Sequence, residues 1–212
     1  MKLLLTAFEP FGGATVNPAQ EALRLVPDRA GKAEILRLEV PVVFGKAIDV
    51  VTEAIDRLRP DAVLCIGQAG GRAALTLERI AINVDDASIP DNAGNRPIDA
   101  PVVPGAPAAY FATLPIKAIT ARIRERGLPA ALSNTAGTFV CNHLMYGVLH
   151  HLAVRHPGVR GGFMHVPYAP AQTLDRPAPS MSIPDIARGI EAAAAAIADT
   201  AEDIAASEGA TC

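Results

Sequence analysis

Thr135-Ala136-Gly137-Thr138-Phe139-Val140-Cys141-Asn142-His143-Leu144-Met145-Tyr146 is the stretch whose reading decides the fold. The apolar run Ala130-Ala131-Leu132 ahead of it has the character of a short strand. Beyond it Val140, Leu144, Val148 and Leu152 recur at helical spacing, as on the buried face of a helix. Cys141 therefore falls in the first turn of a helix that leaves a strand through a Thr/Gly loop. A thiol there feels the positive end of the helix dipole, which favours thiolate. The unpaired N–H groups beside it could bind an oxyanion. A buried structural cysteine would occupy the same position equally well, so position alone leaves both readings open.

Working outward, the same alternation repeats. Leu3 to Ala7 and Ala62-Val63-Leu64-Cys65-Ile66 are continuous apolar runs, as in strands covered on both faces. Glu34 to Val40 and Gly162 to Pro167 are further strands, and Leu75 to Val84 is expected as one more, carrying Glu78 and Arg79. Helices are expected from Asn17-Pro18 to about Val26, along the stripe Phe44, Ile48, Val51, Ile55 and Leu58, and from Pro115 to about Arg126. A last, alanine-rich helix begins at Ser182 with Asp185 and carries Ile183, Ile186, Ile190, Ile197 and Ile204. The fold class is α/β, with a mostly parallel sheet covered on both faces. Residues 85–107, rich in Asp, Asn, Gly and Pro, form a long loop of the kind that is usually functional. No repeat or linker divides residues 1–212, so one domain is expected, with a frayed tail over 207–212.

Composition excludes several function classes. With 50% hydrophobic residues among 212, the chain can bury a sizeable core, and 4% aromatic content makes that core aliphatic. Nineteen Lys and Arg against 22 Asp and Glu, with no long basic cluster, point away from nucleic acid and from a polybasic membrane anchor. No apolar run approaches the length of a membrane span. Cys65, Cys141 and Cys212 are an odd count at wide spacing, neither a disulfide framework nor a zinc pattern, which suits a reducing cytoplasm. No metal is expected, and neither Phe11-Gly12-Gly13 nor Gln68-Ala69-Gly70-Gly71-Arg72 matches a phosphate-binding fingerprint.

A thiol nucleophile needs a base, and the base gains from an acid that orients its ring. His143 follows Cys141 by two residues on a helix, so their side chains diverge by roughly 200°. His150, His151 and His156 read as solvated surface. His165 ends a buried strand, where ligands collect in α/β sheets, although a satisfied core histidine fits there too. Glu78 sits among Leu75, Leu77, Ile80 and Ile82, where a carboxylate is costly unless paired. Arg72 and Arg79 are its candidate ion-pair partners, and Arg79 is awkward because adjacent strand residues face opposite ways.

Six blocks together resemble one family. They are Phe8-Glu9-Pro10-Phe11-Gly12-Gly13 with Asn17-Pro18, Gly67 to Arg72, Glu78-Arg79 with Asn83, Ile89-Pro90-Asp91-Asn92, Ala136 to His143, and Gly162 to Tyr168. In this order they resemble pyroglutamyl-peptidase I and span nearly the whole chain. The resemblance implies a cytosolic cysteine peptidase of α/β/α fold, a homo-oligomer without cofactor, acting on peptides with an N-terminal pyroglutamate. It implies a catalytic triad of Glu78, Cys141 and His165, and a pyroglutamyl pocket of Phe8, Phe11, Gln68 and Phe139. Two positions depart from the family pattern. Ala7 stands where glycine is usual, and Ser88 where an arginine near the active site is usual. A non-catalytic paralogue that binds the same ligands is the alternative, and Ser88 is what supports it.

Overall fold

The strand–loop–helix around Cys141 is one repeat of a layered sheet. A computed structural model describes residues 1–209. Its main sheet has seven strands: β1 (Lys2–Phe8), β2 (Arg29–Ala30), β3 (Ala33–Val40), β4 (Ala62–Gln68), β5 (Leu75–Glu78), β8 (Ala130–Ser133) and β9 (Arg160–Val166). Their spatial order is β2-β3-β1-β4-β9-β5-β8, parallel except for β2 against β3 and β5 against β9. A separate pair, β6 (Ile80–Ile82) and β7 (Ala109–Phe111), is antiparallel. The helices are α1 (Pro18–Leu25), α2 (Lys46–Leu58), α3 (Ile116–Glu125), α4 (Val140–Arg155) and α5 (Ile183–Asp199).

Side-chain alternation along each strand divides the core in two. Leu64 and Ile66 of β4 face the cluster built with Leu23, Ile119 and Ile190, under α1, α3 and α5. Val63 and Cys65 face the other cluster, built with Val51, Ile55, Leu144 and Val148 under α2 and α4. Each fully buried aliphatic side chain contributes about 1.5–3 kcal/mol of transfer free energy, so these two faces hold the sheet between its helices. The same alternation sorts the polar residues. Leu75 and Leu77 belong to the first face, which leaves Thr76 and Glu78 on the second. Met164 and Val166 likewise leave His165 on the side of α4.

The expected strand from Leu75 to Val84 is two strands in two sheets. Arg79 is where one hands over to the other: its N–H donates to Ser133 O at 2.8 Å, continuing the β8 side, while its C=O accepts from Ala112 N at 2.9 Å. The last helix ends at Asp199 rather than running through Ile204, which is exposed. Arg160 closes it, donating to Ile197 O at 2.7 Å and Thr200 O at 2.6 Å. The chain then folds back, and Asp203 accepts from Lys117 N and Ala118 N, capping α3, whose N-cap position, Pro115, has no side-chain acceptor of its own. Glu208, in the expected frayed tail, pairs with Arg124 at 2.6 Å, whereas 210–212, including Cys212, lie outside the described residues. Among the described residues no helix is long and apolar enough to cross a membrane.

Candidate active site

The C-terminal ends of β4 and β9, the antiparallel β5 beside β9 and the start of α4 meet on the α4 face. Because β5 and β9 are antiparallel, with Thr76 opposite His165 and Glu78 opposite Phe163, Glu78 lies diagonally across from His165 on one face. Diagonal neighbours are within reach of long side chains. The His165 Nδ1 and Glu78 Oε1 atoms are 2.7 Å apart, and both side chains are almost wholly buried. Arg72 donates from Nη1 to the same Glu78 oxygen at 2.6 Å and to Thr76 Oγ1 at 2.6 Å, and from Nη2 to Thr135 O. The partner of Glu78 is thus Arg72. Arg79 instead reaches Asn134 Oδ1 at 2.9 Å.

Burial pushes the Glu78 carboxyl upward, but the hydrogen bond and charge of His165, with Ser133 and Arg72, outweigh it and hold the group below the usual carboxylate range. Glu78 Oε2 is buried with no hydrogen-bond partner among the described residues. The Ser133 hydroxyl, on its register partner, is turned to Thr135 O, so Ser133 acts on Glu78 by proximity rather than through a formed bond. Burial lowers the His165 imidazole more than Glu78 raises it, so the ring is neutral at neutral pH. With Glu78 ionised, its neutral tautomer carries the proton on Nδ1 and the lone pair on Nε2.

Cys141 is the second residue of α4. Phe139 occupies the cap position and has no side-chain oxygen to offer. The first bond of the helix runs from His143 N to Phe139 O at 3.1 Å, so the N–H groups of Val140, Cys141 and Asn142 precede it without an intrahelical acceptor. Gly137, at φ 81°, supplies the left-handed turn that brings the chain into this start. Gly67, paired in register with His165, lies against the thiol: a Cβ there would stand 3.1 Å from Cys141 Sγ. These surroundings oppose the pull of the helix start toward thiolate. Burial first, then the charge of Glu78, pushes the thiol up to about 12, although the residue retains some accessible surface.

The four residues expected to form the pocket divide by depth. Phe11 and Gln68 line an open cleft of about 500 Å³ together with Ile89, Tyr168 and Gln172. Phe139 packs behind Phe11, with ring centroids 6.2 Å apart, and meets Phe44 edge-on at 5.4 Å. Phe8 is buried deeper, 6.4 Å from Phe163, which in turn lies 4.8 Å from the His165 ring. Ser88 is exposed, next to Ile89 on the rim of the cleft.

Sequence reasoning missed a second buried His–carboxylate pair. His143 Nδ1 is 2.7 Å from Asp85, and its Nε2 accepts from Gly45 N at 2.8 Å. This pins the start of the 85–107 loop and the residue after Phe44 to α4. Asp91 anchors the loop further, accepting from the N–H groups of Phe44, Ala93 and Asn95. The available signal was His143, a polar residue followed by the apolar run of α4; Asp85, in an Asp- and Asn-rich stretch, offered none.

His151 and His156 are not solvated surface as expected; both reach Asp56 Oδ1, at 2.9 and 2.6 Å, and are largely covered. Their ligand atoms converge as metal ligands would. Arg59, however, stands 3.5 Å from His156 Nδ1, a donor that leaves the proton on Nε2 for Asp56 and no lone pair there for a metal.

The pyroglutamyl peptidase family model matches residues 1–200. A pyrrolidone-carboxylate peptidase of Streptococcus pyogenes is 56% identical over 200 residues, covering 94% of this chain and 93% of that protein. The crystal structure of pyroglutamyl peptidase I from Bacillus amyloliquefaciens superposes with a TM-score of 0.95 at 49% identity, covering 97% of this chain and 99% of that one. A mutant pyrrolidone carboxyl peptidase from Pyrococcus furiosus gives 0.89 at 43% identity, covering 94% of this chain and 99% of that one. With a family match along nearly its whole length, relatives this similar and the mostly parallel sheet they share, the chain belongs to the pyroglutamyl peptidase family.

Proposed function

We propose that the protein hydrolyses the amide between an N-terminal pyroglutamyl residue and the next residue, with Cys141 as nucleophile, His165 as general base and acid, and Glu78 as the acid that orients it. The observation that carries this reading is the Glu78–His165 contact at 2.7 Å on the face where α4 begins with Cys141. His165 Nε2 takes the thiol proton as Sγ bonds to the pyroglutamyl carbonyl carbon, in keeping with burial pushing the thiol up. The N–H groups at the helix start stabilise the resulting oxyanion. Collapse breaks the C–N bond, and His165 returns its proton to the leaving amine. His165 then takes a proton from water as the oxygen attacks the thioester. Collapse of this second adduct breaks the C–S bond, returns the proton to sulfur and releases pyroglutamate. Glu78 keeps the Nδ1 proton in place and supports the imidazolium formed in each step.

Phe11, Phe139 and the deeper Phe8 suit the flat, uncharged faces of the lactam, and Gln68 suits its polar edge. An apolar slot also disfavours charged N-termini through the cost of desolvation. We further infer one catalytic domain working in a reducing cytoplasm, since the mechanism needs a reduced thiol, and assembling as a homo-oligomer, a reading favoured by exposed Phe111 and Val154. Turnover of a pyroglutamyl peptide in the presence of hydroxylamine tests the thioester. Pyroglutamyl hydroxamate should form at the expense of pyroglutamate, whereas direct attack by water would yield the acid alone.

A further inference from the structure

Glu78 Oε1 takes two hydrogen bonds, one shared with His165 Nδ1 at 2.7 Å and one from Arg72 Nη1 at 2.6 Å. Glu78 Oε2 is buried without a partner among the described residues. Rotation of the carboxylate would therefore break both bonds together. Arg72 also reaches past the acid, donating from Nη1 to Thr76 Oγ1 at 2.6 Å and from Nη2 to Thr135 O at 3.2 Å. Thr76 is the register partner of His165. Thr135 stands in the segment that leads into α4, where its Oγ1 accepts from Gly137 N at 3.0 Å, at the left-handed turn. One guanidinium thus joins β5, which carries the acid, to the approach to Cys141.

The loop that carries Arg72 is itself held firmly. Ala69 N donates to Val166 O at 2.9 Å, and Arg72 N donates to Ala69 O at 3.4 Å. Between them Gly70 lies so close to the Tyr168 ring that a Cβ there would stand 2.0 Å from it. The loop is fixed in this way against the chain that leaves β9. A planar guanidinium presents its donors in fixed directions, which the ammonium of a lysine does not. Arg79, the next basic residue along the chain, is turned away to Asn134 Oδ1.

We propose that Arg72 is a positioning residue for the reaction: it holds the Glu78 carboxylate in the orientation that serves His165 and ties it to the segment that delivers Cys141. This rests on the reading of Glu78, His165 and Cys141 as the triad. Charge acts in the same place as geometry. Burial lowers the His165 imidazole most, Glu78 raises it, and the charge of Arg72 lowers it again. Glu78 from β5 and Arg72 from the loop after β4 are the charged groups that act on the ring. At Cys141, where burial and then Glu78 push the thiol up, Arg72 is the charge that pulls it down. Arg72 thus keeps the proton of the ring from being bound too tightly by the very acid it orients.

The experiment measures kcat and kcat/KM across pH on a fluorogenic pyroglutamyl amide for the unmodified protein, Arg72→Gln, Arg72→Lys and Glu78→Gln. Thermal unfolding of each establishes that it is folded. Arg72→Gln removes both the charge and the fork. Its plateau kcat should fall by about ten- to a hundredfold, as for a misplacement on the order of 1 Å. The acid limb of its kcat/KM, which reports the free enzyme, should move to higher pH, because a lowering influence on His165 is gone. That direction is opposite to the one expected for Glu78→Gln. Arg72→Lys keeps the charge but cannot bridge the acceptors, so its limb should stay in place while kcat falls by about five- to tenfold, the worth of one hydrogen bond. An Arg72→Gln limb that stays in place or moves to lower pH would reduce Arg72 to a structural ion pair and overturn the proposal. So would an Arg72→Gln plateau kcat equal to that of the unmodified protein. If Arg72→Gln does not fold, Arg72→Lys decides: a lowered kcat with an unmoved limb supports the proposal, and an unaltered kcat overturns it. A Glu78→Gln variant with the kcat of the unmodified protein would instead overturn the triad reading on which the proposal stands.

Discussion

Gly67 and Cys141 are in such close approach that a methyl group on Gly67 would stand 3.1 Å from the sulfur and 2.9 Å from the Phe163 ring. The end of β4 therefore forms the floor against which the thiol is held, and its register partner in β9 is His165. Gly67→Ala should displace either Cys141 or Phe163 by a few tenths of an ångström. Misplacement on the order of 1 Å costs about a hundredfold in rate, so kcat should fall by roughly ten- to a hundredfold, with a smaller change in KM. Steady-state kinetics on the folded variant check this, and an unchanged kcat would show that the thiol does not depend on that floor.

Glu78 raises the affinity of His165 for its proton, while burial lowers it by more. Cys141 can be deprotonated only by a neutral imidazole, so activity should decline as pH falls through the His165 value, on the acid side of the ordinary 6.5. Glu78→Gln removes the raising influence. Its kcat should drop by about three to four orders of magnitude, and the acid limb of its pH profile should move to still lower pH. A variant with the kcat of the unmodified protein, or with the limb shifted upward, contradicts the assignment.

Cys65 and Cys141 are both pushed up to about 12 by burial, yet their reactivity should differ. Cys65 is fully enclosed within β4, whereas Cys141 retains accessible surface and, on the proposed mechanism, gives its proton to His165. Iodoacetamide on the native protein should label Cys141, and labelling should parallel loss of activity, as peptide mapping would show. Activity lost through modification of Cys65 alone would refute the nucleophile assignment.

Phe11 and Phe139 pack together with centroids 6.2 Å apart, Phe11 facing the cleft. Truncating either to alanine should remove about 1–3 kcal/mol of apolar contact with a lactam, or roughly ten- to two-hundredfold in kcat/KM. The affinity for 2-pyrrolidone as a competitive inhibitor should fall in proportion. If inhibitor affinity stays constant while kcat/KM falls, these rings do not wall the lactam site.

Much of this was legible in the chain because it follows from period and punctuation. The four-residue stripe from Val140 to Leu152 and the apolar run from Ala62 to Ile66 each specify an element without knowledge of the rest. Glu78 was legible as a charge in an apolar strand, and its pairing with Arg72 over Arg79 follows from strand alternation. Other features were hidden because they depend on partners distant in sequence. The break at Arg79 exists because its N–H goes to Ser133 O while its C=O accepts from Ala112 N, in two different sheets. The end of α5 is set by Arg160, about forty residues away, through its bonds to Ile197 and Thr200. The opposition to thiolate was hidden for the same reason: local position favours thiolate, while burial and the charge of Glu78, both brought in by the fold, push the thiol up.

The most direct test is the release of a fluorescent amine from its pyroglutamyl derivative, measured beside the prolyl and glutamyl derivatives of the same amine. The prolyl compound keeps the five-membered ring without its carbonyl, and the glutamyl compound keeps the atoms of the side chain without the ring. The account predicts release from the pyroglutamyl derivative at least about a hundredfold faster than from either other compound, and its loss on Cys141→Ser. Equal release from all three, or release that survives Cys141→Ser, would contradict it.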